Sequence, residues 1–299
     1  MMIYSSTQLK IKMGQSVPKI KIKTAFTSFV YTLGTSLYIP LTSKSNTLTL
    51  PQTRGASFTL PSNVVQSLLN VRQAELTANV KNNGSLLNDF NEKINTITSM
   101  KLPLPAYPQI CSTRERREKM WDDDAYSNPS IEQLYSELET YFKVNNASSI
   151  VFAGEGEPTM RLEDMIRLAK KIRALEETKN VPIRLVTNGL CYATPLLNTE
   201  RNIVLELKEA GIVSLSVALM TSSSAQYDEL MHPAIPNEML DRDVCAHQMV
   251  CDFIKRSVLN GLDVEVTGVD RSGVDKMAAQ NLASDLGVVR SFRWRPFFP

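Results

Sequence analysis

The sequence predicts an α/β fold built on a parallel sheet, and three observations carry that reading. Six apolar runs, centred near residues 37, 151, 185, 215, 266 and 291, have the length of strands. Most are separated by segments of helix length whose apolar residues recur at helical spacing. Several elements stop at glycine, asparagine or proline, where regular structure gives way to a turn. Strands alternating with helices imply β–α units and a parallel sheet. Six units fall short of an eight-fold barrel, so pattern alone leaves an incomplete (β/α)6 barrel and a doubly wound sheet both open.

Taken in order, residues 1–30 form a basic leader with little periodicity, in which Lys19 to Lys23 alternates like an edge strand or an extended tail. The segment is acid-free and rich in Lys, Ser and Thr, as organellar transit segments are, but it lacks arginine, and a flexible tail fits it equally. The ordered core is expected over 31–299. Thr35 to Leu41 reads as the first strand, followed by a polar loop to Gly55 and a helix capped by Ser62 or Asn63, with Val65, Leu68 and Leu69 inward.

The texture changes between residues 75 and 127. Asn82-Asn83-Gly84 signals a turn, Leu102 to Pro108 is rich in proline, and Arg114 to Lys119 is a charge cluster. This stretch reads as a long insertion after the first β–α unit, and it is the segment through which a protein partner is expected to dock, if there is one. Regular alternation resumes at Ser130, which stands at capping-box spacing from Gln133 and opens a helix with Ile131, Leu134, Leu138 and Phe142 on one face.

Strands are then expected at Ser149 to Ala153, Pro182 to Thr187, Ile212 to Leu219, Val264 to Thr267 and Val288 to Trp294. Helices fill the gaps, one stopped by Gly211 and another by Gly287. Met220 to Leu240 reads as an extended loop, with Tyr227 and His232 as candidate contact residues.

Charge and cysteine usage bound the function. With 33 Lys+Arg against 31 Asp+Glu the net charge is +2, a near-balance that argues against a dedicated nucleic-acid binder. The first acidic residue is nevertheless Glu75, after eight cations. No apolar run is long enough to cross a membrane. The four cysteines, Cys111, Cys191, Cys245 and Cys251, are few and scattered, as in a reduced intracellular protein, cytoplasmic or organellar. Cys245 and Cys251 flank His247, but residues six apart on a helix point to different faces, so no metal site is expected there.

The chemistry is expected at the carboxyl ends of the strands, where α/β folds bind ligands. The most pointed stretch is Ile150 to Thr159, an apolar strand running into Gly154-Glu155-Gly156-Glu157-Pro158. Its glycines would let backbone amides approach a ligand, with Glu157 at the strand end. A plain turn with solvated carboxylates is the alternative.

With these elements placed, the chain resembles the radical S-adenosylmethionine superfamily, and most closely the branch associated with TatD-type hydrolases. Tyr31 to Thr42, Gly154 to Thr159, Thr187-Asn188-Gly189 and Ser214 to Val217 carry the resemblance, with Val269 to Asp275 and Arg293 to Phe297. It implies an incomplete (β/α)6 barrel of the radical SAM core type, with a long insertion after the first β–α unit. The family's Gly-Gly-Glu-Pro motif falls on Glu155 to Pro158. The resemblance therefore implies that Gly154, Glu155, Gly156, Glu157 and Pro158 hold S-adenosylmethionine, with Asn188 and Ser216 as further polar contacts.

One departure reverses part of that expectation. In the family a [4Fe–4S] cluster is held by Cys-x-x-x-Cys-x-x-Cys in the loop after the first strand. With the register set by Arg54-Gly55, the three positions fall on Ser45, Thr49 and Gln52. Hydroxyls and an amide do not replace soft anionic thiolates as iron ligands, and no other cysteines reproduce the spacing. The sequence thus supports neither a [4Fe–4S] cluster nor radical chemistry, and implies at most a retained S-adenosylmethionine loop. Two other readings stand beside it. One is a non-radical enzyme using Glu155, Glu157, Asp270 and Arg295 at the barrel mouth. The other is a scaffold that works through 75–127 and the 220–240 loop.

Overall fold

A computed structural model describes residues 28–83, 129–191, 201–234 and 245–299. The leader to residue 27, Cys111, and the insertion from residue 84 to 127 with its charge cluster lie outside the described residues.

The chain forms one seven-stranded mixed sheet whose spatial order is its sequence order. β1 (Tyr31–Leu33) and β2 (Ser36–Ile39) make an antiparallel hairpin that turns at Gly34, whose φ is +59°. From β2 onward every pairing is parallel, through β3 (Ser149–Phe152), β4 (Ile183–Thr187), β5 (Ile212–Ala218), β6 (Asp263–Asp270) and β7 (Arg293–Pro296). A doubly wound sheet reverses its strand order at a switch point, and this one does not. The sheet is a curled half barrel of α/β type.

The helices follow the predicted pattern where their caps and apolar faces are explicit. α1 (Leu50–Thr53) is a single turn after β2, and α2 (Ser62–Asn83) follows it. α3 (Ile131–Phe142) begins at the Ser130 and Gln133 capping box and buries Ile131, Leu134, Leu138 and Phe142. α4 (Leu162–Ala174) buries Met165, Ile166, Ala169 and Ile172, and α5 (Ile203–Glu209) is stopped at Gly211 with φ +88°. α6 (Ser224–Met231), α7 (Ala246–Leu259) and α8 (Lys276–Asp285) complete the set. These helices and the strand residues facing them, among them Ile150, Phe152, Leu185, Leu215, Val217 and Val266, form the main core.

Four expectations are corrected. The β1 hairpin strand was not foreseen, because a three-residue strand offers too short an alternation to read. The final strand begins at Arg293 rather than Val288. Gly287, at φ +86°, ends α8, and Val288 N–H folds back to donate to Ala283 O at 3.0 Å, so four more residues are needed to reach the sheet. The 220–240 stretch contains α6, nucleated by Ser223, whose side chain accepts from Gln226 N–H. Its Tyr227 is fully buried against the core and offers no surface to a partner, while His232 closes the helix in the left-handed region at φ 46°. Last, α2 runs through Glu75 to Asn83, so 75 is not where regular structure stops. Gly84 of the predicted Asn82-Asn83-Gly84 turn lies outside the described residues.

The segment after β2 positions everything at the carboxyl end of the sheet. Asn46 Nδ2 donates to Leu190 O at 3.3 Å, and Leu48 N–H donates to Met231 O at 2.7 Å. Farther on, Phe298 N–H donates to Arg54 O at 2.7 Å. The same strap thus touches the ends of elements from β4 to β7, which ties the two margins of the half barrel together. Leu50 dips from it onto Val151, Ala153 and Val186, on the sheet face opposite the main core. Among the described residues no helix is long and apolar enough to cross a membrane.

Candidate functional site

A small cleft lies where the strap passes over the ends of β3 and β4. It encloses about 270 Å3 of open space, counting the part open to solvent. Ser45, Thr47, Leu48 and Leu50 line it from the strap, residues 153 to 157 from the β3 loop, and Val186 with Asn188 from β4. The fold therefore brings together Gly154, Glu155, Gly156, Glu157, Asn188 and Ser45 from three separate stretches. Pro158 stands just behind, as the first residue of a 3-10 turn, Pro158–Arg161, that leads into α4.

Ser216 is not in the cleft. It lies on β5, where its hydroxyl donates to Glu265 Oε2 at 3.1 Å and accepts from Arg293 Nη2 at 3.4 Å.

The two glycines are explained by packing. A side chain on Gly156 would meet Thr42 O at 2.6 Å and press still closer on Lys44 O. One on Gly154 would meet Pro40 Cβ at 2.5 Å. The neighbouring amides are also spent, since Gly156 N–H donates to Thr42 O at 3.3 Å and Glu157 N–H to Lys44 O at 2.8 Å. The expectation that these amides face a ligand is corrected: they fasten the β3 loop to the strap.

Glu157 is 3% exposed and is held from four directions. Its Oε1 accepts from Thr159 N–H (3.0 Å), Thr159 Oγ1 (2.8 Å) and Thr187 Oγ1 (2.8 Å), and its Oε2 accepts from Asn188 N–H at 2.7 Å. Burial raises its pKa, opposed by these same bonds. Three of these four donors go to Oε1 and one to Oε2, so Oε2 is the less engaged of the two oxygens. Asn188 acts as a clamp as well: its Nδ2 donates to Asn46 Oδ1 at 2.6 Å and to Thr47 Oγ1 at 3.1 Å.

Glu155 points the other way. It forms a bidentate, buried ion pair with Arg72 of α2, with Arg72 Nε to Oε2 at 2.6 Å. Glu155 and Glu157 therefore do not form a paired acid–base set. Asp270, the third carboxylate of that reading, is exposed and bonded to Lys276.

Next to this ion pair, Glu75 is completely buried. Its Oε1 accepts from Thr42 Oγ1 at 2.5 Å and from Ser43 N–H at 3.0 Å, and its Oε2 accepts from Ser43 Oγ. Arg72 and Glu75 were missed as site residues. The available signal was the absence of Gly and Pro from Ser62 to Asn83, which lets one helix carry both past residue 75.

Burial raises the Glu75 pKa despite the hydrogen bonds from Ser43 and Thr42. A raised folded-state pKa contributes stability below the ordinary carboxylate range and loses it as pH rises through the higher value. The urea midpoint of the wild type is therefore expected to fall as pH rises above the ordinary carboxylate range, and Glu75→Gln to flatten that fall. An unchanged slope in the variant would remove Glu75 as its source.

Ser45, Thr49 and Gln52 are engaged within the strap itself. Thr49 and Gln52 cap α1 reciprocally: Thr49 Oγ1 accepts from Gln52 N–H at 3.4 Å, and Gln52 Oε1 accepts from Thr49 N–H at 2.8 Å. Ser45 Oγ accepts from Thr47 N–H at 3.2 Å. The donor set does not fit a [4Fe–4S] cluster, and its polar atoms are turned into the strap's own backbone. Among the described residues no group of three or more His, Cys, Asp or Glu side chains is placed to hold a metal ion. Cys251 Sγ lies 4.0 Å from His247 Nδ1, while His247 Nε2 bonds Thr221 O at 2.9 Å.

Comparison with protein-family models finds none that matches this chain, and no curated protein matches it.

Proposed function

We propose that the chain is a radical S-adenosylmethionine-like half barrel of the (β/α)6 core type that has no iron–sulfur site and binds a small molecule without radical chemistry. The cleft between the strap and the β3 loop is the binding site. S-adenosylmethionine, through its amino-acid end, is the candidate ligand.

The observation that carries this reading is the exchange at Thr49 and Gln52. A capping box fills the cluster positions while the cleft beside them stays open to Glu157 and Asn188. When bound, S-adenosylmethionine would supply an ammonium, a carboxylate and a sulfonium. Glu157 Oε2, which takes only one of the four donors on this carboxylate, suits the ammonium, because a buried carboxylate is a strong partner for a cation. Thr159, Thr187 and the Asn188 amide hold that carboxylate in place. With the amino-acid end at Glu157, the rest of the ligand would extend out of the cleft along the sheet face beneath Leu50.

Titration calorimetry of the full chain with S-adenosylmethionine is expected to give one site, and anaerobic reconstitution with iron and sulfide to leave the protein without a stoichiometric cluster. No heat with S-adenosylmethionine removes the ligand assignment. A full [4Fe–4S] complement overturns the whole reading.

A further inference from the structure

The sheet face turned away from the main core carries a concentration of arginine. Strand residues alternate between faces, and those that alternate with the core residues Leu185, Leu215 and Val266 include Arg184, Ser216 and Glu265. Arg293 of β7 reaches the same face, 2.7 Å from Glu265 Oε2, and Arg295 follows it two residues on. The interior of a parallel barrel is ordinarily filled by branched apolar side chains, so this set departs from what packing alone would select.

The four cations near this face are not equally satisfied. Arg293 is paired with Glu265. Arg54 enters from the strap, donates Nε to Pro296 O at 2.7 Å, and lies over the Phe58 and Phe298 rings at 4.5 and 5.4 Å. The side chains of Arg184 and Arg295 have no hydrogen bond or ion pair among the described residues, and the Nε of each is buried without a partner. Burial, then Arg293, Arg54 and Arg184, push Arg295 down to about 10 against the opposing pull of Glu265. Two buried Nε–H groups without an acceptor, beside two further cations, cost stability, and such a cost is characteristic of a site completed by a ligand.

The missing partner is anionic. A single guanidinium fork satisfies a planar carboxylate, whereas here the unpaired forks come from β4 and β7, with Arg54 above them from the strap. Guanidinium groups supplied by separate elements suit an anion with oxygens in several directions, which a phosphate has. We propose that this face binds the phosphate group of a small phosphorylated molecule, gripped by Arg184 and Arg295, with Arg54 and Arg293 reinforcing the field. The site shares no residue with the Glu157 cleft, so it stands or falls separately from the S-adenosylmethionine assignment.

The test is titration calorimetry of the full chain at low ionic strength with inorganic pyrophosphate as the probe. Saturable one-site binding is expected. Arg184→Gln and Arg295→Gln should each weaken it at least about tenfold, the loss of a charge-assisted hydrogen bond. Arg167→Gln, on the exposed side of α4, should leave it unchanged. Without the probe, both lumen variants are expected to melt at or above the wild-type Tm, since each removes an unmatched charge; a lowered Tm would reveal a structural role instead. Absence of saturable binding, equal weakening by Arg167→Gln, or citrate binding as tightly as pyrophosphate would overturn the proposal.

Discussion

Replacing Arg72 with methionine is expected to destabilise the protein by about 3–5 kcal/mol, because it leaves the Glu155 carboxylate buried without its counter-charge. Glu155 is 3% exposed, and both of its oxygens are engaged by the Arg72 guanidinium. For a domain of this size the loss corresponds to a Tm lower by about 10 °C. The double variant Arg72→Met/Glu155→Leu should recover most of it, since an apolar pair of similar volume has no charge to desolvate. Thermal melts of the wild type, the single and the double variant decide the matter. A harmless single variant would mean that Glu155 is not held as an ion.

The second large effect is expected from the smallest change. Gly156→Ala places a methyl between two stretches of backbone, within 2.6 Å of Thr42 O and closer still to Lys44 O. Neither neighbour is a flexible side-chain end, so the strap must separate from the β3 loop. The hydrogen bonds from Gly156 N–H and Glu157 N–H to Thr42 O and Lys44 O would be lost with it. A loss of about 3 kcal/mol is expected, at the upper end for overpacking. Urea unfolding measures the loss, and amide exchange of Gly156 and Glu157 locates it. If exchange at these amides stays slow, the loop has not parted from the strap and the packing account of this glycine fails.

These two expectations lie on opposite sides of what could be read from the residues. Gly156 was visible as a functional punctuation mark, but its reason was assigned to a ligand when it belongs to the strap. Arg72 and Glu155 were both visible as charges. Their pairing was not, because it spans 83 residues and no local pattern encodes it. Thr49 and Gln52 show the reverse. The spacing of a Thr and a Gln three apart was enough for a capping box.

By itself, the sequence determined the alternation of strands and helices, the caps at Ser130 and Gly211, the apolar faces of α3 and α4, and the absence of cysteine from the loop after β2. Each depends on neighbours within a turn or two, where periodicity, side-chain capping and ligand chemistry act locally. The tertiary structure alone decided that the sheet keeps its sequential order, that the strap closes over its carboxyl end, and that Glu155 and Glu157 face opposite ways. It also left Arg184 and Arg295 unmatched. Those outcomes depend on which distant groups meet, and burial makes such meetings count: a charge that water would screen on the surface must find a partner inside, or wait for one.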